Sequence, residues 1–129
     1  MKNLNNYLRW VLLLNGIVDL VCAVILLGLP LIRQPLLGYQ IFDLQGAFLA
    51  GGWGIATLAL GVIRIWTAAR PAYYEAMKLM GLLEGTSLAV FTIICLVVGR
   101  ATIIQALLPL NVGVVFSLLY FISVVRKRK

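Results

Sequence analysis

Residues 73–98 read YYEAMKLMGLLEGTSLAVFTIICLVV, a run of 26 residues that is almost wholly apolar yet carries Glu84 near its middle. A helix rises about 1.5 Å per residue, so about 20 residues cross the hydrocarbon core of a bilayer and this run is long enough to span it. A carboxylate at the centre of such a span costs about 2.5–3.5 kcal/mol on insertion scales. Glu84 is therefore expected to face protein or water and not lipid. The stretch decides the fold class: helical and embedded in a membrane.

Composition agrees. The chain of 129 residues is 63% hydrophobic and 12% charged, with mean hydropathy +1.04, whereas a soluble domain is nearer half apolar and a quarter charged. The expectation is one transmembrane domain over residues 1–129, all-α, with helices at about 7–29, 41–66, 73–98 and 101–125. No stretch remains for a separate soluble domain. A basic start before an apolar run resembles a signal peptide, but the run is too long and is interrupted by Asn15 and Asp19, so helix one is read as retained.

The net charge of +7 does not point to nucleic acid. Arg126, Lys127, Arg128 and Lys129 directly follow an apolar run, where positive charge sets orientation or meets anionic lipid. No basic face or stacking platform accompanies them. With the N-terminus inside, Lys2, Arg9, Arg64, Arg70 and the tail fall on the cytoplasmic side, and only Arg33 and Arg100 fall outside. Both termini are thus expected in the cytoplasm of a multi-pass plasma-membrane protein.

Absent residue types narrow the chemistry. The chain has no histidine, which removes His-ligated haem and His-containing zinc or copper sites. Cys22 and Cys95 form no CxxC pair, and they read as small apolar core residues. No metal, cofactor or catalytic nucleophile is predicted, which leans against an enzyme.

Breakers divide the helices. Pro30, Pro35 and Gly38 make a loop whose Leu31, Leu36, Leu37 and Tyr39 suggest that it lies along the membrane surface. Arg70-Pro71 and Gly99-Arg100 make short turns, and short turns favour antiparallel neighbours, hence an up-down-up-down four-helix bundle. In helix two, Gly46, Ala50, Gly54 and Gly61 line one face and offer close packing to a neighbour. Pro109 lies inside helix four, should kink it, and leaves the Gln105 carbonyl without its usual partner.

An internal echo joins the halves. Gly16-Ile-Val-Asp19 and Gly81-Leu-Leu-Glu84 are both Gly-x-x-acid, sixty-five positions apart, on helices running the same way. Val62-Ile-Arg64 and Val124-Val-Arg126 end helices two and four. The pattern suits two helix pairs repeated in parallel orientation. If helices one and three face each other, Asp19 and Glu84 share a dry centre near mid-depth. Burial and like charge then disfavour ionisation, so at least one carboxyl is expected to be protonated at neutral pH. A neutral acid would donate to Asn15, and Lys78 is the other candidate partner for Glu84. Asn111, with Gln105 and Ser117, would complete the polar centre or bond between helices. Arg64 and Arg70 are placed with Glu75 in a stabilising cluster at the cytoplasmic interface, and Asp43 with Arg33 and Arg100 at the outer surface.

A first helix ending at Gly28-Leu-Pro30, a glycine-rich second helix ending in Gly61-Val-Ile-Arg64 and an acid in helix three resemble the DoxX-like group of small bacterial membrane proteins. The resemblance implies a four-helix plasma-membrane protein, sometimes a small subunit beside a quinone-linked oxidoreductase. It supplies no catalytic residue. Small multidrug exporters also carry an acid in helix one, but their other signatures are missing, as is the phenylalanine-bearing pore segment of fluoride channels. Three functions stay open. The first is a non-enzymatic accessory or scaffold subunit, as a homo-oligomer or with a membrane-protein partner, using the small-residue face of helix two. The second is a small proton-coupled carrier switched at Asp19 and Glu84. The third is an enzyme acting on a lipid or quinone through Glu84.

Overall fold

The computed structural model describes residues 2–31, 36, 38–41 and 43–127, with the side chains of 2, 3, 126 and 127 outside the description. Four helices run through these residues: α1 (Lys2–Gly28), α2 (Leu44–Ala68), α3 (Tyr74–Val97) and α4 (Ile103–Lys127). Each is long and apolar enough to cross a membrane, so the protein is an all-α, multi-pass membrane bundle. Trp10, Phe48, Trp53, Phe91 and Ile103 stand on the outside, where lipid is their natural solvent.

The chain sets each end by local chemistry. α1 starts several residues before the expected position, because the polar opening continues the same helix. Asp43 caps α2, its carboxylate accepting from the Gly46 backbone N–H, so it is a helix cap and not a free surface charge. Arg33 lies outside the described residues. α3 stops at a turn in which Gly99 takes φ +71°, a region open to glycine at little cost. The loop after α1 includes a tight turn closed by reciprocal backbone bonds between Leu36 and Tyr39, both 2.9 Å, with Gly38 at φ +77°. Pro35 and Leu37 fall outside the described residues.

Packing makes two hairpins. α1 lies along α2 and α3 along α4, while contacts between the pairs are sparser. Backbone meets backbone within each hairpin. A Cβ on Gly61 would sit 2.9 Å from the Gly16 carbonyl oxygen, and one on Gly113 would sit 2.7 Å from that of Gly85. Gly54 receives Leu26 and Leu27 of α1. The small-residue face of α2 is therefore filled by this chain's own α1 at Gly54 and Gly61, and Ala50 on the same face is buried. Gly46 belongs instead to the capping turn, against Asp43 and Ile41.

The two hairpins meet in a core of Leu8, Val11 and Leu12 of α1, Ala68 at the end of α2, Tyr74 and Met77 of α3, and Phe116 and Tyr120 of α4. This core lies toward the end of the bundle where α1 begins and α4 finishes. At the opposite end the loop is tied to α4. The Tyr39 hydroxyl donates to the Gln105 carbonyl at 2.6 Å, and Gln105 Nε2 donates to the Gly38 carbonyl at 2.9 Å. Pro109 has no N–H to give Gln105, and Tyr39 supplies the missing donor.

Candidate functional site

Arg64 organises the polar centre. It lies on the inward face of α2, four residues before that helix ends, and its side chain is only 1% exposed. Its guanidinium forks: Nη1 donates to Asp19 of α1, and Nη2 donates to Glu84 of α3. Both contacts are ion pairs. The third nitrogen, Nε, is buried and makes no hydrogen bond among the described residues. A planar guanidinium carries several donors in a fixed fork, which lets one cation hold two carboxylates.

The position of Arg64 corrects two expectations. It does not join Arg70 and Glu75 in an interfacial cluster. Arg70 lies over the Trp66 ring, 3.7 Å from its centroid, and donates to the Trp66 carbonyl at 2.9 Å. Nor do Asp19 and Glu84 meet as bare like charges, because a cation stands between them. Two intramembrane acids call for a counter-charge. Closeness to the end of α2 suggests a surface position for Arg64, whereas its side chain lies on the inward face of the helix and reaches α1 and α3.

The acids sit in different surroundings. Asp19 is sealed, its side chain 7% exposed, whereas the Glu84 side chain is 37% exposed. Glu84 lies ten residues into α3, about 15 Å along the axis by helical rise. Its outer side opens on a groove of about 490 Å³ lined by Ala76, Leu79, Met80, Leu83, Glu84 and Ser87. Its inner side borders a cavity of about 10 Å³ that also touches Asn15, Gly85 and Phe116.

The other candidates divide around this centre. Asn15 is buried next to the clasp but donates to the Tyr120 hydroxyl at 3.1 Å. Lys78 pairs with Glu75 at 2.6 Å and so is not the partner of Glu84. Asn111 is exposed on α4 and bonds its own helix at the Leu107 carbonyl, 2.6 Å away, outside the polar centre. Ser117 Oγ is buried against Gly85 without a hydrogen-bond partner among the described residues.

The Gly-x-x-acid echo has a geometric counterpart. Gly16 lets α2 approach α1, and Gly81 lies under the Tyr120 ring of α4. In each hairpin the glycine admits the partner helix, and the acid one turn later faces Arg64. Comparison with protein-family models, curated proteins and solved structures finds no match.

Proposed function

We propose that this protein is a small, non-enzymatic carrier of the plasma membrane, both termini cytoplasmic, in which Asp19, Arg64 and Glu84 form a proton-linked clasp between two helical hairpins. The observation that carries the reading is the fork of Arg64, which spans the boundary between the hairpins while leaving Glu84 open on one side. A carrier needs an element with two arrangements at a site between its repeats. Protonation of Glu84 removes the charge that holds it to Arg64, so hydrogen-bonded and released forms can alternate. Asp19 stays with Arg64 inside the first hairpin and keeps the cation in place.

Reconstitution into liposomes tests it. Proton-linked flux should be present in the native chain and lost in Glu84→Gln and Asp19→Asn variants that remain folded. Flux unchanged in both variants would falsify the carrier. The second reading is an accessory subunit, which would have to use surface other than Gly54 and Gly61, since α1 packs there. What favours it is the breadth of outward apolar surface on every helix. Its test is co-purification of a membrane partner in mild detergent.

A further inference from the structure

We propose that the groove on α3 binds a lipophilic organic monocation, an apolar body bearing one positive charge, and that this is the substrate class of the carrier. The inference rests on the carrier reading for the word substrate, but binding at the groove stands or falls separately. Two observations lead to it.

The first is charge. Asp19 and Glu84 together supply two carboxylates against one guanidinium, so the clasp with both acids ionised holds one negative charge more than it neutralises. Lys78, on the same helix as Glu84, is bound to Glu75 and only 9% exposed. The surplus is reachable at Glu84 and not at sealed Asp19.

The second is shape. The opening at Glu84 is a shallow apolar groove on α3, formed by Leu79, Met80 and Leu83, with the Ser87 hydroxyl one turn further along. Its lining residues all belong to one face of α3, so an occupant would lie along that helix beside Glu84 with its other side in lipid. A strongly hydrated ion would lose its water shell there without replacement. An anion would meet a carboxylate. A charge spread over an apolar body meets neither obstacle, and the flexible Met80 thioether adapts to its outline. A second copy of the chain fits the groove poorly. A two-fold contact places the same patch on both subunits, which would bring two Glu84 carboxylates together.

The test uses the purified full-length chain in nanodiscs, with tetraphenylphosphonium as probe and tetraphenylborate as an anion of the same shape. Saturable binding of one cation per chain is expected, with no saturable binding of the anion. Glu84→Gln should weaken cation binding at least tenfold. Ser87→Phe, which fills the groove and leaves the clasp intact, should do the same and covers the case in which Glu84→Gln does not fold. Equal binding of cation and anion overturns the proposal, as does full affinity in Ser87→Phe or a dimer that buries the groove. Cation binding without flux overturns the carrier alone, and flux without cation binding overturns the groove alone.

Discussion

Arg64 is the residue on which the interior depends. Removing one member of a buried charge set leaves the others unpaired, at a cost of about 3–5 kcal/mol. Arg64→Gln should therefore lower stability more than any other single change in the clasp, since it leaves two acids without a cation. Asp19→Asn should cost more than Glu84→Gln, because Asp19 is sealed and Glu84 is partly open. Thermal unfolding in detergent, followed by tryptophan fluorescence, checks the order, and a milder Arg64 variant would overturn it. Tyr39 offers a second residue-scale test. Tyr39→Phe takes a donor from the Gln105 carbonyl and should cost about 1 kcal/mol. Burial, and behind it Cys95, push the Tyr39 hydroxyl above the usual tyrosine range. The folded chain holds this proton more tightly than the unfolded chain. The stabilisation is thus complete below about pH 10 and fades as the pH rises beyond it. A stability curve that falls equally in Tyr39→Phe between pH 9 and 11 would contradict that link.

At the scale of elements, glycines separate by what they face. A Cβ on Gly81 would enter the ring of Tyr120, which is fully buried and has nowhere to go. Gly81→Ala should cost about 1–3 kcal/mol, as overpacking does. Gly52 has nothing within 4 Å of a built Cβ, so Gly52→Ala should be neutral or stabilising by up to about 1 kcal/mol. The same unfolding assay decides, and equal effects would show that hairpin packing is looser than described. Much of this level is legible in the sequence. Four apolar runs separated by Pro and Gly give the helices, and the spacing of Ala50, Gly54 and Gly61 gives a contact face. The owner of that face is not legible, since small residues serve a neighbour within the chain and one outside it equally well. The end of α2 is not legible either. Thr67 and Ala68 continue the helix without changing its periodicity, and an arginine so near a helix end reads as a surface residue even though its side chain turns inward. The Gln105 carbonyl freed by Pro109 was foreseeable, whereas its donor from a loop 66 residues away was not.

The whole molecule is two hairpins joined by a core at one end, a loop latch at the other and the clasp between. The basic residues predict that both termini face the cytoplasm. A membrane-impermeant maleimide applied to intact cells should label Arg100→Cys, between α3 and α4, and leave Lys129→Cys unlabelled in a background without native cysteines. The reverse pattern would invert the orientation. The pairing inside the first hairpin also bears on how the chain enters the bilayer. As synthesis proceeds, α1 and α2 emerge first, and Asp19 with Arg64 form a unit of zero net charge inside that hairpin. That pair can leave the insertion machinery for lipid before α3 exists. The second hairpin has no such internal remedy for Glu84 and must find a cation already waiting. Order of emergence is thereby written into the placement of a single arginine, and a chain with its halves exchanged would have to deliver Glu84 into the bilayer unescorted.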